Sequence, residues 1–267
     1  MASVRLCLYI CRRTMNSQII FLISAACIFG GALLGLSLSG RLPEPHLRDK
    51  SKDTVKVVAG MIATLAALVL GLLVASAKSS FDTMNIAITQ SGAKVVLLDR
   101  VLATYGPETK DVREQLRRAV AAGIEMFWPE EKAEGSGLAG FERANAMEMI
   151  QAKLRDLTPA TDAQRQLLSQ AQQISSDMLQ ARWLLIEQAQ SAVPLLFLAV
   201  LLFWLTMLHM SFGLFAARNA TVITVLLISA LSVSGAIFII LEMSHPLQGT
   251  IKVSSAPMRK ALEHLGQ

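Results

Sequence analysis

"VVAGMIATLAALVLGLLVASAKSSF" occupies residues 57–81, and its reading decides the fold. From Val57 to Ala77 it holds no Asp, Glu, Lys or Arg. About 20 such residues are what a helix needs to cross the hydrocarbon core of a bilayer. Lys78 ends the apolar run without ending the helix. Phe81, Met84, Ile88, Ser91, Val95, Leu98 and Leu102 follow at alternating spacings of three and four. That pattern is a stripe on one helix face, in the manner of a coiled-coil seam. No proline interrupts 57–106, so the spacing predicts one rod approaching ~70 Å at 1.5 Å per residue. Gly106-Pro107 stops it.

Three more runs pass the same length test: Ile19–Leu38, Val193–Phe215 and Ala220–Leu241, none with a formal charge inside. Arg12 and Arg13 precede the first run and "SLSG" follows it, as in a signal peptide. Its apolar stretch is longer than the ~7–15 residues of a signal's hydrophobic core, so it reads as a retained span. Met15 opens directly into it and is an alternative start. The chain of 267 residues is 53% hydrophobic and only 17% charged, with a net charge of +5. Soluble domains carry about a quarter charged residues. The surplus is uneven: residues 78–190 hold 13 basic and 15 acidic side chains, and the rest holds 12 and 5. A basic excess beside apolar runs suits lipid headgroups, whereas a nucleic-acid binder concentrates it on a folded face. Nucleic acid is therefore no expected partner.

Residues 78–190 read as helix throughout. A helix over 108–128 carries Val112, Leu116, Val120, Ile124 and Phe127 on one side and ends at Trp128-Pro129. One over about 141–157 carries Met147, Ile150, Leu154 and Leu157. The next begins near Thr161 and meets no proline before Pro194, so it is expected to feed into the third span. "SSAPMRKALEHLG" reads as a capped short helix from near Ser255, after a locally extended 249–253. The expected fold class is all-α: a four-span helical membrane protein with a cytoplasmic helical bundle between spans 2 and 3. Its parts are a tail (1–18), spans 1 and 2 (19–77), the soluble helical domain (78–190), spans 3 and 4 (191–241) and a tail with a short helix (242–267). Four spans put both termini and the helical domain on one side. Nine Lys or Arg near the span ends lie on that side and six on the other, which favours cytoplasmic termini in the cell's inner membrane; a start at Met15 removes the margin.

Chemistry-bearing motifs are sparse. "GSGLAG" (135–140) spells a glycine fingerprint, but the acidic "WPEEKAE" precedes it where a dinucleotide fold needs a strand, so it reads as a loop. The cysteines Cys7, Cys11 and Cys27 form no disulfide framework. His46, His209, His245 and His264 are too scattered to share a metal, and no nucleophile elbow, zincin or P-loop motif occurs. No enzyme, cofactor or metal site is expected. Two intramembrane polar groups remain as candidates. His209 lies about six residues inside the end of the third span, where a neutral imidazole can bond a carbonyl or face an aqueous path. Glu242 closes the fourth span, where a carboxylate is solvated or attracts ions. Arg218 and Asn219, in "AARN", read as a hairpin, with Asn219 the N-cap of the fourth span and Arg218 toward headgroup phosphate. Small residues recur every fourth position at Ala63, Ala67, Gly71 and Ala75 in span 2, and at Gly31 and Gly35, between Cys27 and Ser39, in span 1. Such faces let helices approach closely in lipid, and are the expected helix-packing surfaces, within the chain or between copies.

"FWLTMLHMSFGLFAARNATVITVLLISALSVSGAIFIILEMSHPLQGTIKVSSAPMRKALEHLGQ" (203–267) and "LGLLVASAKSSFD" (70–82) resemble the bestrophin-like integral membrane family, a domain of unknown function. Bestrophins proper are pentameric anion channels with four spans and a cytosolic helical part, the second span lining a central neck. The resemblance implies a homo-oligomer, a pentamer by analogy, that passes small anions, with Leu68 and Leu72 as an apolar constriction that gates by dewetting. Two departures stand out: span 2 has no aromatic residue, and no acidic cluster follows span 4 to hold calcium. The alternative is a non-conducting membrane scaffold whose helical domain binds a cytoplasmic partner.

Overall fold

The computed structural model describes residues 17–40, 49–128, 146–190, 195–247 and 250–266. Its helices are α1 (Ser17–Ser39), α2 (Asp49–Tyr105), a 3-10 turn (Pro107–Thr109), α3 (Lys110–Phe127), α4 (Ala146–Asp156), α5 (Asp162–Gln190), α6 (Leu195–Phe215), α7 (Ala220–Met243) and α8 (Ala256–His264). Among the described residues there is no strand, so the all-α expectation holds. Four helices are long and apolar enough to cross a membrane: α1, α2, α6 and α7. The expected rod exists as the 57-residue α2, about 85 Å at 1.5 Å per residue. Whether α5 continues into α6 turns on residues 191–194, which lie outside the described ones, as do "GSGLAG" and His46. The chain divides into a first unit, Met1–Ser80 with Ala192–Ile251, and a second, Phe81–Ser191 with Lys252–Gln267.

In the first unit α1 packs against α6 and α7. Lipid is as apolar as the side chains, so association rests on close van der Waals contact. Glycine supplies it from both helices. A Cβ built on Gly31 would stand 2.9 Å from the Thr206 carbonyl oxygen, one on Gly35 would run into the Met210 carbonyl, and one on Gly213 into that of Ala32. Around this seam lie Ile28, Leu201, Leu205, Ala230, Ile237 and Ile240, and α2 adds Ala59, Ala66, Leu73 and Ala77. Phe21 meets Phe238 edge to face at 6.1 Å. Several hydroxyls in the spans turn back on their own helix, as Thr206 Oγ1 does to Leu202 O (2.8 Å), which satisfies the donor within hydrocarbon, while Ser234 Oγ on α7 is buried with no hydrogen-bond partner among the described residues. The Asn219 side chain accepts from Val222 N at 2.8 Å, the expected N-cap of α7. Arg218 does something other than reach outward. Its Nη2 donates to Leu36 O (2.8 Å) and Ser37 O (3.3 Å), capping the carbonyls left open at the end of α1.

In the second unit the seam of α2 is buried: Met84, Ile88, Val95, Leu98 and Leu102, against Val112, Leu116, Val120 and Ile124 of α3. Ile150, Leu154, Ala171, Ile174 and Met178 add the faces of α4 and α5. Gly106 turns the chain at φ 142°, a region closed to side-chain-bearing residues. The Thr109 hydroxyl bonds Leu102 O at 2.6 Å across that turn. At the start of α5, Gln164 N donates to Thr161 Oγ1 (3.1 Å) and Gln164 Oε1 accepts from Ala160 N (2.8 Å), a near relative of the capping box. The C-terminal segment belongs to this unit: buried Trp128 donates from Nε1 to Val253 O at 2.9 Å. Ser255 does not cap α8 with its side chain, because its backbone (φ −73°, ψ −12°) is already helical; Ser254 Oγ takes the Ala256 amide instead.

Asp99, 1% exposed, receives a bidentate pair from Arg113, Nε to Oδ1 at 2.7 Å and Nη2 to Oδ2 at 2.9 Å. These hydrogen bonds hold the guanidinium above its ordinary pKa, so Arg113 stays charged.

Two consequences are measurable by thermal or denaturant unfolding. Gly35→Leu should destabilise the first unit by about 1–3 kcal/mol or more, since backbone atoms cannot yield. Gly30→Ala should be near neutral, because nothing lies within 4 Å of its Cβ position. Arg113→Ala should cost about 3–5 kcal/mol by stranding a buried carboxylate. Asp99→Ala should cost less, because Arg113 is 20% exposed and can turn to solvent.

Candidate functional site along the second span

The membrane part of α2 presents three faces. Ala59, Ala66, Leu73 and Ala77 are buried within the chain. Met61, Leu65, Leu68 and Leu72 form an exposed apolar ridge, Leu68 at 67% and Leu72 at 66%. Gly60, Ala67, Gly71 and Ala75 form, with Thr64, an exposed face of small residues. Nothing lies within 4 Å of a Cβ built on Gly60 or Gly71. At 3.6 residues per turn the ridge and the small face are centred roughly 90° apart, and each is about 135° from the buried face. Ala63 differs from the rest of its series: it is half-buried against the core. The two small-residue series therefore sit differently. Gly31 and Gly35 are occupied by α6 of the same chain, whereas Ala67, Gly71 and Ala75 are open.

His209 is 4% exposed, held between α6 and α7. Its Nδ1 is 2.9 Å from Leu205 O and its Nε2 3.2 Å from Ser229 Oγ. A carbonyl only accepts, so Nδ1 carries the proton, and Nε2 accepts from the Ser229 hydroxyl in the neutral ring. Phe212 meets the imidazole edge to face at 6.1 Å. Both ring nitrogens are thus used: Nδ1 bonds the ring back to its own helix, and Nε2 ties α6 to α7. Sequence spacing did not reveal Ser229 as the partner; its only signal was a hydroxyl in the facing helix.

Glu242 is also buried, and the structure keeps it away from His209: Ser229 and Glu242 are 13 residues apart on α7, about 20 Å along the axis. Glu242 Oε2 accepts from Thr250 N and from Ile251 N, the latter at 3.2 Å, and the carboxylate also bonds the Ser17 side chain at the start of α1. The carboxylate is a clamp on the segment leaving α7. Among the described residues no group of His, Cys, Asp and Glu is placed to hold a metal.

These features define an all-α membrane protein of four spans whose second helix is its longest element. A family model for the bestrophin-like domain matches residues 26–258, and the chain belongs to that family. No curated protein and no solved structure matches it.

His209→Phe should cost about 0.6 kcal/mol, and at most ~1.7, as one interhelical hydrogen bond in lipid. Nitrogen NMR of labelled histidine should show the Nδ1-protonated neutral form for His209. A resonance protonated on Nε2 alone would contradict the assignment.

Proposed function

We propose that the chain is a homo-oligomeric channel of the inner membrane that passes small anions, with α2 of each copy around the axis. Its termini and second unit then lie on the cytoplasmic side. The observation that carries this reading is the pair of unlike exposed faces on α2. An apolar ridge and a small-residue face fit each other, and both are on every copy, so contact between copies is head-to-tail. Two contact faces roughly 90° apart turn each copy against the last and close a ring of about four or five. The direction midway between them points at the axis, and the buried face points directly away from it. Leu68 lies within about 15° of that inward direction and Leu72 about 55° off, toward the neighbour. Leu68 then forms the apolar constriction, with Thr64 and Ala75 above and below it. Leu72 seats the ridge in the next copy. The basic excess outside residues 78–190, 12 against 5, gives the mouths a field that draws anions.

A second reading, a non-conducting scaffold, is favoured by Trp183 and Leu184 on α5, 60% and 62% exposed, which suit an anchor for a cytoplasmic partner.

Planar-bilayer recording of the purified oligomer in symmetric chloride separates the two. The channel predicts current, a raised leak in Leu68→Ala with assembly intact, and a weakened oligomer in Leu72→Trp by native mass spectrometry. A stable oligomer that passes no current favours the scaffold.

A further inference from the structure

In the first unit a groove of about 160 Å³ runs between the start of α2 and the end of α6. Its floor is Ala59, Gly60 and Ala63, its walls include Phe212 and Phe215, and Lys56 stands at its mouth. The floor is close to bare helix backbone, since Gly60 has nothing within 4 Å of its Cβ position. That volume is far above the ~10–15 Å³ that admits one water. The groove is still too small for a whole helix ~10 Å across to lie in it. One hydrocarbon chain can lie there.

The mouth carries the matching charge. The Lys56–Asp53 pair is 3.7 Å apart with both side chains largely exposed, and an exposed pair of this kind is worth little. Its ammonium is therefore available to a phosphate. Lys56 is next to the first residue of the apolar run, at headgroup level.

We infer that this groove binds an anionic glycerophospholipid, with an acyl chain along Ala59–Ala63 between the phenylalanines and the headgroup phosphate on Lys56. The site is a feature of the single chain and stands whether or not the protein conducts.

The test equilibrates the intact purified protein with vesicles of equal phosphatidylglycerol and phosphatidylcholine, then counts retained lipid by native mass spectrometry. Phosphatidylglycerol should be retained in preference. Lys56→Gln should reduce that preference about fivefold, as expected for one basic residue at an anionic surface. Ser211→Phe, which fills the groove from α6, should abolish retention of both lipids while subunit number and melting stay unchanged. If that variant does not fold, Ala63→Leu fills the same space from α2. Equal retention of the two lipids, indifferent to Lys56→Gln, means annular lipid only and overturns the site. A filling variant that changes subunit number but not retained lipid places another copy there and overturns it equally.

Discussion

The first unit depends on backbone touching backbone. Where Gly35 and Gly213 face each other across α1 and α6, no side chain separates the helices, and carbonyl oxygens lie where a Cβ would be. In water an apolar interface is driven together by the solvent; in a bilayer that drive is missing, and only the density of contact remains. The other interactions of the unit follow from this approach. Arg218 can reach the last carbonyls of α1 only because the end of α6 is already beside them. His209 can span to Ser229 only because α7 returns along α6 through a four-residue turn.

The second constraint is the phase of α2. Along one face its buried residues include Ala59, Ala66, Leu73, Ala77, Met84, Ile88, Val95, Leu98 and Leu102, in steps of three, four or seven. One heptad register thus serves both the apolar half of the helix and the charged half. What changes along it is size: alanine, apart from Leu73, where the neighbour is a span, and methionine, isoleucine, valine and leucine where the neighbours are amphipathic helices. The same register sets aside the ridge and the small face as a consequence, because a helix with one committed side has two others to offer.

Much of this was legible from residue order. Uncharged runs gave the four spans, since lipid tolerates few alternatives to a closed helix. Apolar spacing gave the seam from Met84 to Leu102, and Asn219 was identifiable as a cap because the next residue began an unbroken run. Less of the candidate site could be seen. Gly31 and Ala67 share a spacing signature, yet one is filled by the same chain and the other is open, and periodicity carries no information about partner identity. Trp128 looked only like a helix end; its bond to Val253 joins positions 125 residues apart. Ser255 failed as a cap because residue type favours capping without fixing φ and ψ. Arg218 was assigned to phosphate on its charge, but open carbonyls at a helix end compete for the same donors.

The glycine seam between α1 and α6 also bears on how the protein is made. Gly31 and Thr206 are about 175 residues apart in the chain, and ribosomes add roughly 5–20 residues per second. The first span therefore waits about 10–35 s in the bilayer before its mate is synthesised. Throughout that interval its groove is bare to passing helices, including those of sister chains on the same message. Biogenesis, more than the finished fold, is where this chain is most exposed to a wrong pairing.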